Sequence, residues 1–286
     1  MASETIRAQN PRMPYLRRST DPTDPAAAPL DIYYEIRGDS GPRLLMFNGS
    51  GSTITAAAPL IDALARFCEV LVHDQRCLGR SSIPEQQPTM ADYAADGVAL
   101  LDHVGWDRCS VFGISFGGMV AQELAVSWPE RVERLALFCT SPGGAGGSSY
   151  PLHELASRTP AESAAISIVN LDSRFDREWL ESHPSDKALF EMMAERAATP
   201  RTDEQRRGEA MQLEARRRHD VWDRLPRIAA PTFIGYGKYD GVAPPANSHA
   251  IHVRVAHAEL HEYEGGHLFT AQDPRALRDL AAFLTT

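Results

Sequence analysis

Residues 109–132 read CSVFGISFGGMVAQELAVSWPERV, and they decide the fold. Cys109–Phe112 form a short apolar run of the kind found in strands buried on both faces. GMVAQELAV, from Gly118 on, carries apolar residues at helical spacing. Between the two lies Gly113-Ile114-Ser115-Phe116-Gly117, a G-x-S-x-G pattern in a strand–turn–helix setting. Such a turn is tight, and a Cβ on either flanking glycine would collide with the adjacent strand or helix. It projects the Ser115 hydroxyl above the sheet at a helix N-terminus, where the dipole favours developing negative charge. The five residues alone are a weak signal; their flanks make it specific.

Outward from this turn, strands alternate with helices. DIYYEIRG (31–38) alternates, RLLMF (43–47) is a buried run feeding the Gly/Ser cluster NGSGST, and CEVLVHDQRCLGRS (68–81) is a run ending in a polar loop. Residues 89–105 read as a helix with Thr89 as N-cap and Gly105 as stop. After ERLALFCTSPGG the rhythm breaks until PTFIGYGKYD (231–240), a helix near Pro245–Val255, a strand near AELHEYEGG and a last helix, DPRALRDLAAFL. The pattern predicts an α/β fold with a mostly parallel, doubly wound sheet covered on both faces. It divides the chain into a loose N-terminal arm (1–30) laid over the core, a sheet core (31–145 and 227–286) and a helical insertion (146–226).

The formal net charge of −9 argues against nucleic acid and anionic membrane as partners. No apolar run approaches a membrane span, and the N-terminus lacks the apolar stretch of a secretory signal. Cys68, Cys77, Cys109 and Cys139 form no CxxC pair, so they read as buried free thiols of a cytoplasmic protein with no metal.

A serine hydroxyl needs a base. Of ten histidines, His267 stands apart: it follows EYEGG, in a glycine loop between the last strand and the last helix. His73 reads as packed at a strand end, and His249, His252, His257 and His261 as solvated. The base needs an acid to fix its tautomer. Asp240 ends PTFIGYGKYD, just past a strand, where open α/β sheets place their sites. Glu264 belongs to its strand, and Asp74 precedes Ser115. The order Ser115, Asp240, His267 is the expected one. Two backbone N–H groups should hold an oxyanion: that of Phe116, and that of Ser50 in Asn48-Gly49-Ser50-Gly51. This loop lacks the lysine and spacing of a nucleotide cradle.

These motifs make the chain resemble the α/β-hydrolase superfamily over nearly its whole length after residue 30. GISFGG resembles the elbow, HDQRCLGRS the D-x-R-G-x-G-x-S segment with Cys77 in place of glycine, GKYDGVAP the acid loop and EGGH the histidine loop. Asn48-Gly49, where many members carry His-Gly, is similar to enol-lactone hydrolases and some esterases of aromatic or terpenoid degradation. Serine at the elbow argues against dehalogenases and epoxide hydrolases. The resemblance implies a mostly parallel, doubly wound eight-stranded-type sheet, with the helical segment 146–226 as a cap over the site.

The expected activity is cofactor-independent hydrolysis of a small, mostly apolar carboxylic ester or lactone through an acyl-enzyme, with water as co-substrate. Perhydrolysis with cofactor-free halide oxidation, carbon–carbon bond hydrolysis and non-catalytic ligand reception are the alternatives. A homodimer is compatible with this reading. Substrate contacts are expected from Asn48, Met119, Tyr150, Phe175, Trp179, Trp222 and Val242, with Met192 and Met193 also offered by the cap. Arg206, Arg207, Arg216, Arg217 and Arg218 read as a solvated helix face with snorkelling stems, although they could receive an anion.

Overall fold

The computed structural model describes residues 14–19, 29–158 and 160–286. In chain order the elements are β1 (Tyr15–Ser19), β2 (Pro29–Arg37), β3 (Arg43–Phe47), α1 (Ala58–Leu64), β4 (Glu69–His73), α2 (Met90–Val104), β5 (Cys109–Ile114), α3 (Phe116–Ser127) and β6 (Val132–Phe138). There follow α4 (Pro160–Leu171), α5 (Arg177–Ser182), α6 (Pro184–Ala198), α7 (Asp203–Arg217), β7 (Thr232–Gly237), α8 (Pro245–Arg254), β8 (Ala258–Tyr263), α9 (Phe269–Gln272) and α10 (Arg275–Thr285). Short 3-10 turns lie at Gly144–Gly146, Leu152–Ser157 and Trp222–Arg227.

The eight strands make one sheet in the order β1-β2-β4-β3-β5-β6-β7-β8. The β1–β2 and β2–β4 pairs are antiparallel, and all others are parallel. Side chains alternate between the faces, as the two-residue strand period requires. Leu45, Phe47, Leu71 and Leu135 join one core with α2, α3 and α8, whereas Leu44, Met46, Val70, Val72 and Phe138 join another with α1 and α10. Both faces are covered, so the central strands read as unbroken apolar runs. Helix α10 buries Ala276, Leu280, Phe283 and Leu284, one face of a 3.6-residue period. Thr89 and Asp92 form a reciprocal capping box that starts α2.

Two expectations need correction. Residues 15–19, read as part of a loose arm, form an edge strand paired with Pro29–Tyr33. Leu16 is buried there, Tyr15 meets Tyr33 edge-on, and Arg18 Nη1 reaches Asp96 Oδ1 at 2.8 Å, so a mostly polar stretch is held by its ladder, a few apolar contacts and ion pairs. Arg216, read as part of a solvated face, is buried. Residues 1–13 and 20–28 of the expected arm lie outside the described residues. The four cysteines are buried and free. Among the described residues no helix is long and apolar enough to cross a membrane.

Register places the site. Phe47 pairs with Gly113, and Gly237 with Tyr263, so the loops after β3, β5, β7 and β8 leave one edge of the sheet. Order reverses at β3, which lies between β4 and β5; this is the switch point where open α/β sheets leave a crevice. Between β6 and β7 the described chain forms helices and no named strand.

Candidate active site

Ser115 connects β5 directly to α3 with φ 56° and ψ −118°. A non-glycine residue in that region is strained, at a cost of order 1–3 kcal/mol, and persists only where its surroundings over-determine it. Here they do. The Ser115 N–H donates to Phe138 O at 2.8 Å, and its carbonyl accepts from Thr140 Oγ1 at 2.9 Å. A Cβ at Gly113 would lie 2.2 Å from Gly117 O, and one at Gly117 would lie 2.0 Å from Phe47 O. Both glycines are therefore sterically obligatory.

His267 Nε2 stands 3.0 Å from Ser115 Oγ, and His267 Nδ1 stands 2.8 Å from Asp240 Oδ2. Asp240 Oδ1 accepts the N–H groups of Val242 and Ala243, each at 2.8 Å. The buried carboxylate is thus fixed by its own loop and offers its other oxygen to the imidazole. Ser115, His267 and Asp240, distant in sequence, form one hydrogen-bonded line.

The helical segment holds both outer loops of this line. At the end of α4, Leu171 O accepts the His267 N–H at 2.6 Å, and Asn170 O accepts the Gly241 N–H at 3.0 Å. Sequence reading missed these two residues, because a carbonyl carries no side-chain signature. It also missed Cys139, which follows β6 with φ 41°. Cys139 Sγ lies with Asp240 and His267 atoms in a group spanning no more than 4.8 Å, a set that could hold a metal ion. The fit is poor: burial, then the charge of Asp240, push the thiol well above its usual range, and both imidazole nitrogens are engaged.

Gly49 passes beside the elbow, since a Cβ there would meet Ser115 Cβ at 3.6 Å. The loop 48–51 therefore lies against Ser115. Asn48 is buried, and both polar atoms of its side chain lack partners, as does Ser50 Oγ. Phe116 opens α3, so its N–H has no intrahelical acceptor. Asp74 braces the stretch that follows this loop by accepting the Ile54 N–H at 2.7 Å.

The other expected contacts divide. Val242 is beside the line, with its N–H on Asp240. Tyr150 lies next to it through backbone, donating to Val242 O at 2.7 Å. Phe175 is buried in the turn after Asp172. Met119 is packed in the core with Val120 and Leu124. Trp179 is spent elsewhere: its ring stacks on His183 at 3.6 Å, its indole N–H donates to Asp186, and it lines a hollow with Arg174, Asp176, Glu178 and Ser182. Trp222 packs against the core under Arg254. Met192 is exposed, and Glu264 lies just past β8 in an ion pair with Arg174.

The chain is similar to known hydrolases in sequence and in fold. The chain is 29% identical over 232 residues to the poly(3-hydroxyalkanoate) depolymerase of Ectopseudomonas oleovorans, covering 79% of this chain and 78% of that one. It is 25% identical over 239 residues to 3-oxoadipate enol-lactonase 2 of Acinetobacter baylyi, covering 82% and 85%. A solved structure of a hydrolase from Pseudomonas aeruginosa PA01 superposes with a TM-score of 0.74 at 29% identity, over 97% of this chain and 100% of that one. Residues 40–268 match the model of the family described as serine aminopeptidase, S33, and the chain belongs to that family, as an enzyme of the α/β-hydrolase type.

Proposed function

We propose that the protein is a cofactor-independent serine hydrolase of small carboxylic esters or lactones, acting through an acyl-enzyme. The carrying observation is the line Ser115 Oγ, His267 Nε2, His267 Nδ1, Asp240 Oδ2, with gaps of 3.0 and 2.8 Å. Ser115 Oγ attacks the carbonyl carbon while His267 Nε2 takes its proton. Asp240 accepts from His267 Nδ1–H, which fixes the tautomer and steadies the imidazolium. The N–H groups of Phe116 and Ser50 receive the negative charge on the carbonyl oxygen. His267 then returns the proton to the leaving oxygen, and a water activated by the same nitrogen releases the acid. In this reading the helical segment 146–226 is a cap whose α4 terminus holds the acid and histidine loops.

The test is turnover of a panel of simple esters and lactones by wild type and Ser115→Ala. Loss of all turnover in the variant, with covalent labelling of Ser115 by a fluorophosphonate in the wild type, supports the reading. Full activity of Ser115→Ala on every ester that the wild type cleaves overturns it.

A further inference from the structure

Helix α7 buries Gly208, Met211, Gln212, Ala215 and Arg216. Gln212 and Arg216 are one turn apart and therefore neighbours on that face. Gln212 Oε1 accepts the Gly51 N–H at 2.7 Å, in the loop after β3. Arg216 Nη1 donates to Tyr150 O at 2.7 Å, and the Tyr150 N–H donates to Val242 O in the acid loop. The face therefore runs from the loop beside Ser115 to the loop that carries Asp240.

Arg216 is only 6% exposed, and its Nε and Nη2 have no hydrogen-bond partner. Asp240 is close enough to favour its charge, although burial pushes the guanidinium down to about 10. It remains a cation at neutral pH. Asp240 acts on it only from a distance, since neither Nε nor Nη2 of Arg216 bonds to it. A buried charge with no directly bonded counter-ion is costly, and an incoming anion would offset part of that cost.

Two other arginines show what the free edge is shaped to do. Arg76 Nε and Nη2 grip Asp96 at 2.6 and 2.8 Å. Arg174 Nε and Nη2 grip Asp172 at 2.9 and 2.6 Å. The same pair of nitrogens on Arg216 is the fork that binds a carboxylate with two parallel bonds.

We propose that the Nε–Nη2 edge of Arg216 is a carboxylate subsite of the substrate cleft, so that the preferred substrate is itself an anion. The class is a monoester of a dicarboxylic acid, or a lactone bearing a carboxylate arm, instead of the mostly apolar ester expected from sequence. The turnover consequence rests on the proposed hydrolase reading, whereas the binding consequence does not.

The experiment compares monoethyl esters of succinic, glutaric and adipic acids with their diethyl esters, followed by titration of released acid. The wild type should favour at least one monoester by about ten- to hundredfold in kcat/KM, the range of a charge-assisted hydrogen bond. Arg216→Gln should erase that preference. Equal kcat/KM across every pair in the wild type, or a preference that survives Arg216→Gln, overturns the proposal. If no ester is cleaved, or Ser115→Ala cleaves as well as wild type, the hydrolase reading fails, and calorimetry with the three diacids and their neutral diamides decides the subsite. Diacid binding that the diamides lack supports it, and equal or absent binding overturns it. Arg216 also holds Tyr150, so circular dichroism must show Arg216→Gln folded; if it is not, the two wild-type comparisons decide.

Discussion

The N–H of Gly51 donates to Gln212 Oε1 at 2.7 Å, a bond between residues 161 positions apart. Arg196 Nη2 donates to Gly51 O at 2.9 Å from α6. Both polar groups of one glycine are thus held by the helical segment. Ser50, whose N–H is the proposed oxyanion donor, is the preceding residue. Gln212 should act as a positioning residue, and Gln212→Ala should lower kcat about tenfold, the value of roughly one hydrogen bond, with KM changed much less. Steady-state kinetics on a neutral ester check this. A rise in KM with kcat intact would place Gln212 in substrate binding instead.

The hydrogen bonds of Asp240 make a second expectation. In Asp240→Asn the amide oxygen can still accept from Val242 and Ala243, so the loop should persist. The amide nitrogen would then donate toward His267 Nδ1 and put the proton on Nε2, facing Ser115. That tautomer cannot take the serine proton. We expect kcat to fall by about 10⁴ while the thermal midpoint shifts little. Retention of even a tenth of the wild-type rate would mean that another acid orients His267.

Asp96 accounts for the strand that sequence reading took for a loose arm. Its carboxylate is buried and receives Arg76 in a two-point grip, with Arg18 from β1 at 2.8 Å. Asp96→Ala should cost about 3 kcal/mol, because it removes the two-point grip and leaves buried Arg76 with only the half-exposed Asp92, at 3.7 Å. Arg18→Ala, at the more exposed partner, should cost about 1 kcal/mol or less. Urea unfolding of both variants tests the ranking, and faster proteolysis within β1 should accompany each.

The line from Ser115 to Asp240 was legible because each member follows a strand at one edge, and strand ends are marked by apolar runs stopping at glycine or polar residues. Three features were not. Strand β1 has too few apolar residues to announce itself and depends on a partner at Asp96. The carbonyls of Asn170 and Leu171 act through backbone. Arg216 sits in the run Arg216-Arg217-Arg218, where helical phase, not composition, decides which guanidinium is buried. Helical spacing could have found it: Met211, Ala215 and Arg216 lie on one stripe. At Cys77 sequence did mark an anomaly, and the residue indeed has φ 74°, a conformation that suits the glycine usual there.

Two buried histidines set how stability depends on pH. His73 faces Asp96, Asp74 and Arg76, while His219 faces Glu123, Asp220 and Arg224; burial holds both down to about 4. In the unfolded chain each takes a proton near pH 6.5. Between those values the unfolded state binds more protons, so stability is full above about pH 6.5 and is lost as pH falls toward 4. By pH 5 each should have lost about 2 kcal/mol. Asp273, held down to about 2 chiefly by its hydrogen bond from Arg275, contributes its loss at lower pH and leaves this window clear. Urea unfolding at pH 7.5 and pH 5 should show the combined loss. His219→Phe and His73→Phe should each flatten the slope by about half. A slope unchanged in both variants would mean that other groups titrate there.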